Sequence, residues 1–258
     1  MRILYFAFVE LDIPNACQTH TLGVLSGFCR NGCKVDAIIP HSKKVKPNIP
    51  GTEIFYIWPW RFSKLGKFWA KCLGGIYLFL LCLLKKYDAI YVRELELNPL
   101  PRWCAQIFKL PYYLEINGLL LLNAKAKNKN YKYLRKIERC QKLDYKKAAC
   151  LIVPSFPRSH WIIEHYNLES DKVFTVLNGT DIPQTKKLSR SISLKNLHLP
   201  VDGFFLGFLG SVWNSYDLKS VIYAMRLCKT TIPDLYLIII GGGSEVPYLK
   251  EVAKDEGL

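Results

Sequence analysis

Three side chains in the first half of this 258-residue sequence fall where a parallel sheet would present them to a ligand. Arg93 closes the apolar run Ala89–Arg93, Glu115 lies in the run Tyr112–Ile116, and Asn117 follows it directly. In open α/β sheets ligands bind outside the carboxyl ends of the strands, which is where all three are predicted to sit. Asn cannot take a proton, so any part it plays is orientation by hydrogen bonds. A further candidate is Gly241-Gly242-Gly243-Ser244, which follows the fully apolar run Leu235–Ile240. The first strand is followed by no glycine pair, and the triple glycine continues into Ser244-Glu245-Val246, which does not fit G-x-G-x-x-G. A nicotinamide or flavin enzyme is therefore disfavoured. No P-loop lysine follows the glycines and no G-x-S-x-G elbow occurs, which argues against a nucleotide triphosphatase and an α/β-hydrolase.

The formal net charge of +15 favours an anionic partner: nucleotide phosphates, an anionic membrane surface or nucleic acid. Nucleic acid ranks last, because neither an aromatic RNA-binding motif nor zinc-finger spacing accompanies the charge. The excess is concentrated between Asn123 and Lys147, where ten Lys or Arg face only Glu138 and Asp144, a net +8. There Leu134, Ile137, Tyr145 and Ala148 fall near one helical stripe, interrupted by Gln141, so the charges cover the outward side. Two readings stay open: a solvated helix face, or a patch that meets anionic lipid or a phosphorylated acceptor.

The nine cysteines are scattered through a long chain, among them Cys72, Cys82, Cys104, Cys150 and Cys228, as expected of buried reduced thiols in a cytosolic protein. Cys29 and Cys33 lie four apart, but no second pair at metal spacing completes a site, so no structural metal is expected. The apolar residues 2–9 stop at Glu10 and Asp12 with no small-residue cleavage site, which reads as a buried strand and not a signal peptide. From Cys72 to Leu84 thirteen residues carry no charge, with Lys71 before them and Lys85 and Lys86 after. That run is too short to span a bilayer. Packing on a sheet is the favoured reading, and lying in a membrane interface with lysines at the headgroups is the alternative.

The elements that must position these residues alternate. Strands are expected at Arg2–Val9, Lys34–Pro40, Glu53–Ile57, Ala89–Arg93, Tyr112–Ile116, Leu151–Val153 and Lys172–Leu177. Helices are expected at Thr19–Arg30, with Asn31-Gly32 as its stop, about Leu65–Lys86, Pro99–Phe108, across the basic segment, and from Ser155 onward. The pattern then restarts with a strand at Phe204–Leu209, a helix at Leu218–Leu227, a strand at Leu235–Ile240 and a helix at Val246–Asp255. Between the two series, Leu177-Asn178-Gly179-Thr180-Asp181, Pro183 and a polar run with Lys186, Lys187, Ser189, Arg190, Ser191 and Ser193 read as a hinge. The expected fold class is α/β, with a first Rossmann-like domain over 1–176, a linker over 177–200 and a partial second Rossmann-like domain over 201–258. The two face a cleft where the site is expected.

With these elements in order, five short stretches together resemble the family 4 glycosyltransferases of the GT-B fold. They are Asn15-Ala-Cys-Gln-Thr-His20, Tyr113-Leu-Glu-Ile-Asn-Gly118, Leu177-Asn-Gly-Thr-Asp181, Gly207-Phe-Leu-Gly-Ser211 and Ile239-Ile-Gly-Gly-Gly243. The resemblance runs along essentially the whole chain and implies retaining transfer of a sugar. The donor would be a nucleotide-sugar, a substrate and not a bound cofactor, and the acceptor a glycan or lipid-linked molecule. Such an enzyme is expected in the cytoplasm or peripherally on the inner membrane face, with no nucleic-acid partner.

By that resemblance the acceptor-side loop holds Asn15, Gln18, Thr19 and His20, with Asn15 and Ala16 where the family has a glycine pair. His20 is either a polar site residue or a structural cap. Asn117 stands where many members have a His beside the reacting sugar. Glu115 either binds the acceptor or is a strand-end carboxylate held by loop amides, and Arg93 joins them. On the donor side Gly210 and Ser211 match the loop that meets the diphosphate. The basic pair usual just after it is replaced by Trp213, Asn214 and Tyr216, with Lys219 as a partial substitute. Gly241, Gly242 and Gly243 match the loop that approaches the nucleotide. The family's further strands and paired-glutamate motif are expected beyond Leu258, so the second domain is expected to be incomplete. Two other readings remain: a non-catalytic binding module with a remnant donor domain, and a nucleotide-sugar epimerase.

Overall fold

The first strand, β1 (Arg2–Phe6), is apolar on both faces, and that places it at the centre of a sheet covered on both sides. In the computed structural model it pairs in parallel with β2 (Lys34–Pro40) on one side and with β4 (Ala89–Arg93) on the other. The structure describes residues 1–12, 15–44, 46–58, 64–179, 188–213 and 216–258. The chain divides into a unit Met1–Thr180 and a unit Asp181–Leu258. In the first unit, β3 (Thr52–Ile57), β5 (Tyr112–Glu115), β6 (Cys150–Val153) and β7 (Val173–Thr175) complete a seven-stranded parallel sheet of order β3-β2-β1-β4-β5-β6-β7. The order reverses at β1, which is the topological switch of a doubly wound sheet.

Alternation along the strands sends their side chains into two cores. Ile3, Tyr5, Val35, Ala37 and Tyr91 meet Leu25 and Phe28 of α1 (Ala16–Arg30) on one face. Leu4, Phe6, Ile38, Ile90, Leu114 and Val153 form the other face, packed under α2 (Lys64–Leu84), α3 (Leu100–Ile107), α5 (Tyr131–Lys147) and α6 (Phe156–Tyr166). Two glycines let α2 approach closely. A Cβ on Gly74 would lie 2.8 Å from the Phe6 ring, and one on Gly75 would lie 2.5 Å from Leu100 of α3. At the amino ends of the strands, buried Asp36 accepts from Arg2 Nη2 (2.8 Å), Lys85 Nζ (3.1 Å) and the Tyr87 hydroxyl (2.5 Å), which clamps β1, β2 and the end of α2 together. Burial pushes the Asp36 carboxyl up, but the three donors outweigh it and its pKa is lowered.

Gln141, which interrupts the apolar stripe of the basic helix, is itself buried. Its amide donates to Glu94 Oε1 (2.8 Å) and accepts from the Tyr166 hydroxyl (2.7 Å), while the Tyr145 hydroxyl donates to the same Glu94 oxygen (2.6 Å). The interruption is therefore a polar network inside the core, in which Glu94 Oε1 takes both donors while its buried Oε2 has no hydrogen-bond partner among the described residues. A short helix, α4 (Leu120–Ala126), was not expected from the sequence; Leu121 and Ala124 pack it on Ile137 of α5.

The second unit holds α7 (Arg190–Asn196), β8 (Phe204–Leu209), α8 (Leu218–Cys228), β9 (Leu235–Ile240) and α9 (Val246–Asp255). Strands β8 and β9 pair in parallel, and Ile222 and Leu249 of the two flanking helices pack with Val212, Phe208, Leu237 and Ile239.

Four expectations are corrected. The first strand ends at Phe6, although Val9 and Leu11 stay buried beyond it. Helix α1 starts at Ala16 and not Thr19, because the Asn15 side chain caps it. The polar run read as linker contains α7, capped by Ser189, whose hydroxyl accepts from the Ile192 amide. Of the five cysteines expected to be buried only Cys104 is; Cys72, Cys82 and Cys150 are half-buried and Cys228 is exposed, and all nine cysteines are free thiols. Residues Thr180, Asp181, Pro183, Lys186, Lys187 and Asn214, singled out in the sequence, lie outside the described residues.

Candidate functional site

Glu115 is the last residue of β5 and is 2% exposed, a carboxylate buried at the carboxyl end of the sheet. Helix α1 begins just beyond β1, and its first turns carry His20 across that end of the sheet. His20 Nε2 meets Glu115 Oε1 at 2.7 Å. The Asn117 amide donates to the same oxygen, and Arg93, the last residue of the neighbouring β4, lies 3.5 Å from it. Two donors thus bond one carboxylate oxygen and a guanidinium stands beside it. By hydrogen-bond geometry Glu115 Oε2 and Arg93 Nη1, both buried, have no partner among the described residues.

Burial alone would raise the Glu115 pKa. The hydrogen bonds from His20 and Asn117, and the charges of His20 and Arg93, reverse that and hold it below the ordinary carboxylate range. The group is accordingly ionised at neutral pH. An ionised acceptor assigns a hydrogen of the His20 ring to Nε2, which donates to Glu115. Burial, and then the charge of Glu115, push the nearby Tyr91 phenol far above its usual range, so it stays a donor.

The remaining first-unit residues hold this arrangement in place. Asn15 Oδ1 accepts from the Gln18 amide (3.0 Å) as the cap of α1. Gln18 Nε2 donates to the Leu11 carbonyl (2.7 Å), tying the loop after β1 to the helix. The Thr19 hydroxyl donates to the Asn15 carbonyl (3.3 Å) and so closes the first turn. Arg158 in the first turn of α6, not singled out in the sequence, donates from Nη1 to the Asn117 carbonyl (3.0 Å) and fixes the loop that carries the amide. No sequence motif marked it.

In the second unit the loops after β8 and β9 extend the parallel ladder beyond the strands. Val212 N donates to the Gly242 carbonyl (2.9 Å) and Gly210 N to the Ile240 carbonyl (3.0 Å). A Cβ on Gly241 would lie 1.8 Å from the Gly210 carbonyl oxygen, and one on Gly243 would lie 2.0 Å from that of Val212, whereas Gly242 has open space around it. Two of the three glycines are thus needed for contact between the loops themselves. Ser211 is exposed on the first loop. Lys219, at the start of α8, places its ammonium 5.2 Å from the Tyr223 ring and 5.6 Å from that of Tyr248. With Trp213, Asp217, Glu245 and Tyr248 it lines a cavity of about 260 Å³. A larger cavity of about 660 Å³ lies between β9 and the two helices, but its lining, including Ile222, Met225, Leu237 and Ile239, is mainly aliphatic and offers little to orient a polar ligand. Among the described residues no group of three or more His, Cys, Asp or Glu is gathered to hold a metal ion.

No protein-family model and no curated protein matches the sequence. Solved structures do match in fold. HepE of Anabaena, in complex with UDP and glucose, superposes with a TM-score of 0.69 at 17% identity, covering 100% of this chain and 67% of that one. Sucrose-phosphate synthase of Thermosynechococcus elongatus gives a TM-score of 0.75 at 14% identity, covering 100% and 68%. WaaG, a glycosyltransferase involved in lipopolysaccharide biosynthesis, gives 0.68 at 13%, covering 98% and 67%. The chain has the GT-B fold. It spans about two thirds of the length of these GT-B structures. Identities this low establish the architecture and leave chemistry to be argued from the side chains.

Proposed function

We propose that this chain is a retaining glycosyltransferase of family 4 type, moving a sugar from a nucleotide-sugar donor to a glycan or lipid-linked acceptor. The observation that carries this reading is the convergence of His20, Asn117 and Arg93 on the buried, ionised Glu115 at the carboxyl end of the sheet of a GT-B fold. Glu115 and Arg93 Nη1 are buried, so in this reading the carboxylate acts by holding the partly exposed His20 ring and Asn117 amide toward the attacking oxygen. Asn117 orients without exchanging a proton. In the step itself the acceptor oxygen bonds to the anomeric carbon as the bond from that carbon to the diphosphate breaks. The departing phosphate oxygen takes the acceptor's proton.

The loops Gly210–Ser211 and Gly241–Gly243 and the Lys219 ammonium are the proposed donor side, supported by exposed loop backbone and a cation beside a polar cavity. The complexes of HepE with UDP and with UDP-glucose make UDP-glucose the first donor to test. The test is release of free nucleoside diphosphate on mixing the chain with UDP-glucose, with and without glycan and lipid-linked acceptors, followed by the anomeric configuration of the product. Acceptor-dependent release with retained configuration supports the proposal. Inverted configuration, or isomerisation of the free donor, contradicts it.

A further inference from the structure

Helix α2 is apolar around most of its circumference, a pattern that belongs to a helix covered on all sides, yet among the described residues it is covered only by the sheet and, along one flank, by α3 and Phe108. Ala70, Leu78 and Leu81 face the sheet together with Gly74. At about 100° per residue, Trp69, Ile76, Phe79, Leu80 and Leu83 fall in the opposite arc and Leu84 on its flank. They are exposed, from 41% at Phe79 to 76% at Leu84. The neighbouring α3 adds Trp103 and Ile107, also exposed, to the same surface.

We propose that this surface docks the protein onto an anionic phospholipid bilayer, α2 lying in the plane of the interface. Charge complementarity selects the occupant. Helices α2, α3 and α5 all cover one face of the sheet, and Arg102 of α3 bonds Asp144 of α5 at 2.6 Å, so the outward sides of the apolar helix and the basic helix look the same way. Arg135, Lys136, Arg139 and Lys142 are exposed on α5, and Lys86 and Lys109 lie two residues beyond Leu84 and Ile107, so positive charge accompanies the apolar patch. A bilayer bearing anionic headgroups satisfies both parts at once. A second copy of a chain with net charge +15 would bring like charges together around the patch. Among the described residues no helix is long and apolar enough to cross a membrane, which fits a helix lying in the surface. Lys71 Nζ donating to the Glu96 carbonyl (2.5 Å), and Lys85 bound to Asp36 and Glu53, hold α2 on the sheet, so the apolar face is presented without rearrangement.

The inference stands apart from sugar transfer, and its test reads no activity. The chain is floated with phosphatidylcholine vesicles, with and without phosphatidylglycerol. Binding to the anionic vesicles, weakened by salt and reduced about tenfold or more in Leu80→Glu/Leu83→Glu, is the expected result. The pair Lys136→Glu/Arg139→Glu weakens it too. Residues 80 and 83 are exposed, so the melting temperature is expected to hold; the single Ile76→Glu variant repeats the test if the double variant does not fold. No flotation, flotation unchanged by these variants, equal binding to neutral vesicles, or a dimer in sedimentation that Leu80→Glu/Leu83→Glu dissolves would each overturn the proposal.

Discussion

His20 and Glu115 are 95 positions apart in the chain and 2.7 Å apart in the fold. The contact exists because α1 starts just past the carboxyl end of β1 while Glu115 ends β5, two strands away across the switch point of the sheet. It ties the loop after the first strand to the acidic centre, so the site is only as rigid as this pair and the Asn117 loop beside it.

Replacing Glu115 tests both halves of that arrangement. Glu115→Ala leaves Arg93 and the His20 ring facing a buried gap and is expected to cost about 3 kcal/mol of stability, measured by denaturant unfolding. Glu115→Gln keeps the shape, so its stability loss is expected to be smaller. With the carboxylate that orients His20 and Asn117 gone, its transfer rate is expected to fall about a hundredfold or more.

Glu94 makes stability depend on pH. Burial raises its carboxyl to about 7, against which the Gln141 and Tyr145 hydrogen bonds pull down. Between its ordinary value and about 7 the folded chain holds a proton that the unfolded chain has released, so this group's contribution is full at low pH and is lost as pH rises. The change amounts to at most about 3 kcal/mol across that window. Glu94→Gln is expected to flatten this part of the stability curve, whereas Glu115, with its lowered pKa, acts in the opposite sense and loses its contribution as pH falls. Unfolding free energies of both proteins between about pH 5 and pH 8 check the sign.

The triple glycine separates packing from open space. Gly243→Ala drives a methyl onto the Val212 carbonyl and Gly241→Ala drives one onto that of Gly210, and each is expected to destabilise the second unit by about 1–3 kcal/mol. Gly242→Ala meets nothing and is expected to unfold like the parent. Hydrogen exchange at the amides of β8 and β9 reads the difference locally.

The Asp36 clamp is purely structural, at the end of the sheet away from Glu115. Asp36→Ala removes the acceptor of three donors and is expected to cost about 3 kcal/mol in denaturant unfolding. Asp36→Asn keeps a carbonyl oxygen for the Tyr87 hydroxyl, so its loss is expected to be smaller.

Much of this architecture was legible in the residues. Runs such as Ile3–Phe8 and Leu235–Ile240 are continuous and β-rich, and the turn signals at Asn31-Gly32 and Asn117-Gly118 punctuate them, so the succession of strands along the chain and the placement of Arg93, Glu115 and Asn117 at strand ends followed. What failed had a tertiary cause. Leu120–Ala126 has no periodicity to mark a helix, and forms one because Leu121 and Ala124 find Ile137. Gln141 reads as a break in a stripe until Glu94, Tyr145 and Tyr166 close around it. The polar run containing Ser189 hides α7, whose single buried side chain is Leu194. Arg158 reaches Asn117 across 41 positions, and no local pattern encodes that.

The central claim is that the chain binds a nucleotide-sugar, and calorimetric titration at moderate salt with UDP, GDP and their common sugar conjugates tests it most directly. Saturable binding selective for one base, weakened in Gly243→Ala, is the predicted result. No binding, or weak salt-sensitive binding indifferent to the base, would contradict it.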